Sequence, residues 1–475
     1  MPRSPLRVTG DGHFFCRDDG SPFFYLADTA WMLPGKLTLD EADRLLADRA
    51  AKGFTVVQAC VFRDLFAPNT PNALGDKPFA TDADMRAVRL NPKWTAHVQA
   101  ITRRAAARGL TMAWLPTWGD KWNEHSNSAG PVIMDQTSAA RYCRQLSDDL
   151  AVHDNVIWVL GGDSPVQTQA HADTIRAMAG GLRDGGSGDR LITFHPSGQE
   201  SSAIFHAEPW LDFNATQSSH YKPNFPNYTH VERLHATVPP KPVIDAEPNY
   251  EGIPMFLTAW HGFQDKFSAV FSPYDVRKSY YRAVLAGAAG HTHGAEPIRQ
   301  IHRRGDDIHG ARGHSGLATW DEALSWQASS QLRLLKDTLL ARNYFARVPA
   351  QELLRPYRQT AAWPDHMNVG LDQAQQTNVD PVARISVARQ TDGGAIFAYM
   401  PVRQTLYLDV SGLRGDRLRL SLFDPETGEA TDTIDFDRRE KTAAKDTYST
   451  RIDPGMMLYV PRRDLDTFFV VDALD

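Results

Sequence analysis

The sequence has few cysteines, no strong excess of either charge and no long apolar run. Its three cysteines, Cys16, Cys60 and Cys143, are an odd number without CxxC spacing, which argues against a disulfide framework or a structural zinc site and predicts buried or half-buried thiols. The 51 basic and 57 acidic side chains give a net charge of −6 over 475 residues. This balance provides no positive field for phosphates, so nucleic acid is not an expected partner.

Transmembrane and nucleotide-binding patterns are missing as well. No segment reaches about 18 uninterrupted apolar residues, and the amino terminus has no apolar run of the length that a secretory signal needs. We therefore expect no membrane association and a cytoplasmic location, or a periplasmic or secreted one if a signal peptide has been removed. No GxGxxG follows a predicted strand and no GxxxxGK[ST] occurs. We expect neither a cofactor nor a metal ion.

Short apolar runs alternate with amphipathic stretches along the first two thirds of the chain. The runs cover residues 23–31, 55–62, 111–119, 155–163, 190–197, 212–220, 242–247 and 286–294. Eight strands, each followed by a helical pattern, predict a (β/α)₈ TIM barrel, with a doubly wound sheet as the alternative. The helices are also indicated by their ends: Thr38 and Glu41 have the spacing of a capping box at the start of a predicted helix over 38–52.

The pattern changes near the carboxyl terminus. From Arg384 onward apolar residues alternate with period two, and the turns between them are rich in Gly, Asp and Pro, which predicts an antiparallel β-sandwich. The predicted domains are an N-terminal hairpin over 1–22, a barrel over 23–345, and a linker with the β-sandwich over 346–475.

Most of the predicted strands end in polar or aromatic residues. In a barrel the carboxyl ends of the strands meet on one face, so these residues are expected to line one pocket. The expected strand-end residues are Asp28, Gln58, Trp118, Asp163, His195, His220, Glu247, His291 and His293.

Two of these strand ends carry carboxylates that are candidates for catalysis. Gly161 and Gly162 allow a sharp turn that would bring Asp163 into the pocket, although Asp163 could instead cap the next helix. Glu247 ends the seventh run, within DAEPNYEG, while Asp245 and Glu251 read better as structural acids. Two carboxylates on different strands suit glycoside hydrolysis, in which one protonates the leaving oxygen and the other attacks or activates water.

The rest of the predicted pocket wall is consistent with sugar recognition. For each residue a place in the core is an equally good interpretation, and two further functions remain open: a metal-dependent amidohydrolase using His291 and His293, and a non-catalytic sugar-binding barrel. The expected stacking platforms are Trp31, Trp114, Trp118 and Tyr250. The expected partners of sugar hydroxyls are Asp28, Gln58, His195, Gln217 and His220.

Six motifs in order resemble the apiosidase-like family, glycoside hydrolase family 140. They are FYLADTAWML, WVLGGDSP, TFHPSGQESS, QSSH, KPVIDAEPNYEG and GAAGHTHGA, within residues 6–345. The resemblance implies a (β/α)₈ barrel glycosidase for a carbohydrate substrate, with Asp163 as acid/base and Glu247 as the second carboxylate, and we expect it to be exo-acting. From this we expect release of a terminal, furanose-type sugar, with retention of configuration and Glu247 as the nucleophile.

The chain also departs from the family pattern. Family members usually read GHTYG where this chain has His293, and usually carry a Trp near Arg299, which puts specificity for apiose in doubt. The C-terminal module resembles a domain named for collagen binding. We expect it to have a structural role in docking onto the barrel.

Overall fold

The computed structural model describes residues 5–63, 69–126, 130–220, 224–255, 269–306, 318–355, 381–439, 451–453, 455–459 and 465–474. The chain divides into two compact units. The first contains residues 1–223, 233–276 and 289–330, and the second contains residues 224–232, 277–288 and 331–475. Most of the predicted linker, residues 356–380, lies outside the described residues, and the domain boundaries expected from the sequence stay predictions.

A small antiparallel sheet precedes the barrel. It is formed by β1 (Arg7–Val8), β2 (Phe15–Cys16) and β3 (Pro22–Phe23). The buried ring of Phe15 packs edge-on against Phe213, 5.0 Å between centroids, and 6.0 Å from Tyr25 at the start of the next strand. This sheet therefore contributes apolar side chains to the amino-terminal end of the barrel.

Eight parallel strands form the centre of the first unit. They are β4 (Tyr25–Thr29), β5 (Val56–Cys60), β6 (Thr111–Leu115), β7 (Val156–Gly161), β8 (Ile192–His195), β9 (Asn214–Thr216), β10 (Val243–Asp245) and β11 (Gly290–His293). They pair in the order β8-β7-β6-β5-β4-β11-β10-β9. The two ends of this sheet approach each other where Asp212 N donates to the carbonyl of Ile192, 2.9 Å. This nearly closed sheet confirms the predicted TIM barrel.

Helices and short 3₁₀ turns connect the strands. At α2, Thr38 and Glu41 form the predicted capping box. Among the described residues no helix is both long and apolar enough to cross a membrane. The helices are α1 (Leu33–Lys36), α2 (Leu39–Ala51), α3 (Asp82–Arg86), α4 (Pro92–Ala107), α5 (Gln136–Asp149), α6 (Gln169–Asp184), α7 (Asn227–His235), α8 (Pro273–Leu285), α9 (Glu296–Arg299), α10 (Ala328–Gln331) and α11 (Arg333–Leu340). The 3₁₀ turns are Gly119–Lys121, Ser202–Phe205, Glu322–Ser325, Tyr344–Ala346 and Gln351–Leu353.

The carboxyl-terminal strands form two antiparallel sheets, as predicted. The strands are β12 (Arg347–Pro349), β13 (Ser386–Gln390), β14 (Ala395–Met400), β15 (Leu406–Asp409), β16 (Arg417–Phe423), β17 (Ala430–Asp437), β18 (Arg451–Asp453), β19 (Met456–Tyr459) and β20 (Thr467–Ala473). One sheet has the order β12-β13-β14-β20-β16-β17 and the other β15-β19-β18. Leu406 and Met457 of the smaller sheet share one apolar core with Leu420 and Val471 of the larger sheet. The two sheets therefore form a β-sandwich.

Candidate active site

The turn after β7 holds Asp163 in an unusual backbone conformation. Gly161, Gly162 and Asp163 have φ angles of 94°, 102° and 51°. A Cβ on Gly161 would lie 2.3 Å from the carbonyl oxygen of His195, and one on Gly162 would lie 2.8 Å from Gly119 N. Both glycines are therefore needed, and Asp163 itself adopts the left-handed region that Asp tolerates better than most residues. Helix α6 is capped by Thr168, so Asp163 is not its cap.

Glu247 is held between two histidines. Strand β10 ends at Asp245, and Glu247 follows in the loop with only 6% of its surface exposed. Its Oε1 lies 3.0 Å from His220 Nε2, and its Oε2 lies 3.1 Å from His195 Nε2. Burial alone would raise the pKa of Glu247, but the two imidazoles outweigh it and hold the pKa far below its usual range. Glu247 is therefore ionised at neutral pH.

His195 connects this carboxylate to the turn that carries Asp163. Its Nδ1 lies 3.4 Å from Asp163 N, and its ring lies 5.5 Å from Trp31 and 5.9 Å from Trp118, between centroids. The structure thus brings both candidate carboxylate residues and both tryptophans around one imidazole.

Tyr250 and Gln58 support the loop that carries Glu247. The hydroxyl of Tyr250 lies 2.9 Å from Thr29 Oγ1, and its ring lies 4.4 Å from that of His220, between centroids. The Gln58 amide donates to Thr29 Oγ1, 2.9 Å, and to the carbonyl of Ala246, 3.0 Å. Tyr250 is completely buried, and burial together with the charge of Glu247 raises its pKa. Both residues therefore act as supports within the protein.

Asp28, His291 and His293 do not face the pocket. Strands β4 and β11 pair so that His293 lies beside Asp28, with 2.6 Å between Nδ1 and Oδ1. The other oxygen of Asp28 lies 3.4 Å from Nε of Arg49 on α2, and the His293 ring packs edge-on against Phe54. Asp28 and His293 therefore lie between the sheet and α2, and alternation along β11 puts His291, two residues earlier, on the same outer face. The predicted pocket role of these three residues is wrong.

Trp114 is likewise on the outer face of its strand. Its Nε1 donates to Thr102 Oγ1 on α4, 3.1 Å, and its partner in the next strand, Trp158, donates outward to Ser187 Oγ. The prediction of a stacking platform is therefore wrong for Trp114. Gln217 lies just beyond β9 and is buried, and its Oε1 accepts no hydrogen bond from the described residues. Its predicted contact with substrate stays a prediction.

The two other acids of the DAEPNYEG segment are structural, as the sequence indicates. Asp245 accepts hydrogen bonds from Ser218 N, 3.2 Å, and Ser218 Oγ, 2.7 Å. Glu251 Oε2 accepts from Ala328 N, 3.1 Å, and burial raises its pKa. Asp245 therefore fixes the loop beyond β9, and Glu251 fixes the start of α10.

Two arginines near Glu247 are missing from the sequence prediction. Arg63 lies over the ring of Trp118, with Cζ 3.7 Å from the centroid, and Arg299 forms a buried bidentate pair with Glu296 at 2.5 and 2.7 Å. Burial lowers the pKa of Arg63; burial also acts on Arg299, but Glu296 and Glu247 outweigh it and raise the pKa. Both arginines lie a few residues beyond a strand, so a search extended past the strand ends would include them.

The ligand set of the amidohydrolase alternative is not assembled. His195 and His220 contact Glu247, whereas His291 and His293 lie on the outer face of β11. Within the described ranges no group of three or more His, Cys, Asp or Glu side chains is arranged to hold a metal ion.

Comparison with known proteins identifies the family. Residues 9–346 match the family model described as "Apiosidase-like, catalytic domain". A solved structure titled "Glycoside hydrolase" is similar over 99% of this chain and 97% of its own, with 26% identity and a TM-score of 0.80. A family 5 glycoside hydrolase from Bacteroides vulgatus ATCC 8482 has the same TM-score with 24% identity, over 98% of this chain and 93% of its own. No curated protein sequence matches. The chain belongs to the apiosidase-like family and is a TIM-barrel glycoside hydrolase.

Proposed function

We propose that this glycosidase is exo-acting and releases a terminal furanose sugar, apiose or a close relative, with Asp163 as general acid/base and Glu247 as nucleophile. The observation that carries the proposal is the setting of Glu247, whose two oxygens lie 3.0 and 3.1 Å from the imidazoles of His220 and His195. Membership of an apiosidase-like family supports the furanose substrate.

The chemistry of the two carboxylates fits a double displacement. Glu247, kept ionised by its histidines, attacks the anomeric carbon and forms a covalent glycosyl ester while Asp163 donates its proton to the leaving oxygen. Asp163 then takes a proton from a water whose oxygen displaces Glu247 from the sugar. Retention of configuration follows. Proximity of the two residues is supported by His195, which lies 3.4 Å from the Asp163 backbone nitrogen and 3.1 Å from the Glu247 carboxylate.

Trp31 and Trp118 are the aromatic candidates for contact with the sugar. Their rings lie 5.1 Å apart between centroids, beside His195. Apolar ring faces suit the CH surface of a sugar. The family difference at His293 does not bear directly on this contact, since His293 pairs with Asp28 on the outer face of the barrel. That difference is therefore no argument against a furanose substrate.

The proposal is tested with the variants Asp163→Asn and Glu247→Gln on aryl glycosides, including apiofuranosides and arabinofuranosides. We expect each variant to lose about 10²- to 10⁴-fold in kcat, because each removes a group that transfers a proton or attacks the sugar. Asp173→Asn, on the exposed face of α6, is the matched control. If both variants kept near wild-type turnover, the two-carboxylate mechanism would be abandoned.

Retention is tested separately by proton NMR of the first product. We expect the released sugar to have the anomeric configuration of the substrate. The opposite anomer would contradict the nucleophilic role and make Glu247 a base that activates water.

A further inference from the structure

We infer that His195 is a positioning residue and not a ligand of the sugar. It holds Glu247 in a fixed position relative to the turn that carries Asp163. The inference rests on the proposed function, since it concerns the same two carboxylates. His195 Nε2 lies 3.1 Å from Glu247 Oε2, and Nδ1 lies 3.4 Å from Asp163 N and 3.1 Å from the carbonyl of Pro196. Both ring nitrogens therefore face protein groups.

The backbone of His195 also holds the turn. Its carbonyl accepts a hydrogen bond from Gly162 N, 3.2 Å, and it lies where a Cβ on Gly161 would clash. The ring is completely buried and meets Trp31 edge-on, at an interplanar angle of 82°. One residue at the end of β8 thus fixes the turn through its main chain and Glu247 through its side chain.

The surroundings of the ring define where its proton lies. If Nδ1 accepts from Asp163 N–H, the neutral ring carries its proton on Nε2. If Nδ1 donates to the Pro196 carbonyl, an Nε2 without a proton would direct its lone pair at the carboxylate of Glu247, which is unfavourable. The arrangement with a proton on Nε2, which lies 3.1 Å from Glu247 Oε2, is therefore the favoured one.

Glu247 has other neighbours that act on its charge. His220 contacts the second oxygen, and Arg63, Arg299 and Tyr250 interact with it electrostatically. The buried thiol of Cys60 does so too. A substitution at His195 is therefore expected to remove one imidazole contact from Glu247 and to leave these other interactions.

Two amide variants separate the two contacts of the ring. In His195→Gln the side-chain amide nitrogen reaches the place of Nε2 and keeps a donor for Glu247. In His195→Asn the shorter amide reaches only the place of Nδ1, so Glu247 loses this donor. We expect kcat to fall about tenfold in His195→Gln, since the link to the turn is lost. We expect a larger loss of kcat in His195→Asn, since Glu247 also loses a contact that favours its ionised form.

Changes in KM distinguish a positioning residue from a sugar ligand. We expect KM to stay within about twofold of wild type in both variants, because a positioning residue does not contact the substrate. Loss of a sugar ligand would instead raise KM and leave kcat unchanged. His97→Asn, another buried histidine, which contacts the carbonyl of Leu37, is the matched control. A raised KM at constant kcat, or equal losses of kcat in both variants, would overturn the inference.

A measurement on the wild-type enzyme covers the case in which a variant does not fold. Nitrogen-15 NMR of the His195 ring should show Nε2 protonated throughout the active pH range. An Nδ1–H tautomer with a bare Nε2 would overturn the inference. Full activity of Glu247→Gln would instead overturn the proposed function, so the two failures are distinguishable.

Discussion

His291 and His293 show how the direction of a single side chain decides its chemistry. Both are completely buried on the outer face of β11, where His293 bonds to Asp28 and Asp28 in turn lies near Arg49. Burial, and then the neighbouring His293, lower the pKa of His291 from 6.5 to about 3. His291 therefore stays neutral in the folded protein at pH values where it is protonated in an unfolded chain.

This depressed pKa makes stability depend on pH. Below about pH 6.5 the unfolded chain binds a proton at His291 that the folded chain does not bind. The free energy of unfolding should therefore fall as the pH drops from about 6.5 toward 3, by at most about 1.4 kcal/mol per pH unit from this residue. His291→Gln should flatten this dependence in urea unfolding at pH 4.5 to 7. The exposed His125 is the control position for a Gln substitution, and an equal slope in wild type and His291→Gln would contradict the assignment.

At the residue scale, the sequence predicts where the strands end better than it predicts which of their side chains face the barrel interior. Trp114 and Trp118 both lie in the third apolar run, residues 111–119, yet Trp114 lies between the strand and α4 while Trp118 lies beside His195. Alternation with period two has two phases, and a strand buried on both faces has apolar residues in each. Only pairing with neighbouring strands decides which of the two sets of side chains faces the barrel interior, as it does for Asp28 and His293. Glu247 and Asp163 escape this ambiguity because they lie in turns beyond the strands.

At the scale of elements, the turn after β7 has little freedom to change its residues. Its glycines approach the carbonyl of His195 and the backbone of Gly119, and both have positive φ. The helix after it begins only at Gln169, so a loop and not a helix end carries Asp163. The Ser164-Pro165 pair resembles a helix start in sequence, whereas Thr38 with Glu41 predicts its helix correctly. The capping-box spacing of Thr38 and Glu41 is thus a better indicator of a helix start here than a Ser-Pro pair.

Two glycine-to-alanine variants test this turn. Gly161→Ala puts a methyl group 2.3 Å from a carbonyl oxygen at a φ of 94°, so we expect a loss of about 2 kcal/mol or more in stability together with a large fall in kcat. Gly180→Ala, in α6, meets no atom within 4 Å and should stabilise the protein by up to about 1 kcal/mol with unchanged kcat. Thermal unfolding and kcat measured on both variants provide the check. Wild-type behaviour of Gly161→Ala would refute the role of the turn.

At the scale of the whole molecule, the second unit has its own buried ionic network. Arg277 donates from Nε and a terminal nitrogen to Asp466, both at 3.1 Å, and to Gln331. The hydroxyl of Tyr399 donates to the same carboxylate at 3.0 Å, and its ring stacks on that of Tyr281. Asp466 is completely buried, so its charge is compensated only by these groups among the described residues.

Removing one partner of this pair should destabilise the second unit strongly. Asp466→Asn leaves Arg277 charged and buried, which we expect to lower the free energy of unfolding by about 3 to 5 kcal/mol. Asp435→Asn breaks the exposed pair with Arg419 on the same β-sandwich. This variant should change the free energy of unfolding by less than about 1 kcal/mol. Urea unfolding followed by tryptophan fluorescence and circular dichroism measures both. Equal effects of the two variants would contradict the structural role of Asp466.

The barrel and the β-sandwich are both predictable from sequence, because periodicity distinguishes parallel from antiparallel strands. The network around Arg277 is not, since its members lie 189 positions apart along the chain and no local pattern links them. The same holds for Arg63 and Arg299, which meet near Glu247 only when the strands close into a ring. Local spacing therefore predicts elements, while long-range ionic contacts require the fold.

The left-handed backbone of Asp163 has a consequence for how this enzyme can evolve. Its φ of 51° is a conformation that Asn adopts at least as readily as Asp. Asp163→Asn should therefore fold as well as the wild type, or slightly better, while it loses its transferable proton. Selection for thermostability alone would favour the inactive side chain at this position, so the acid is an example of a trade-off between stability and activity.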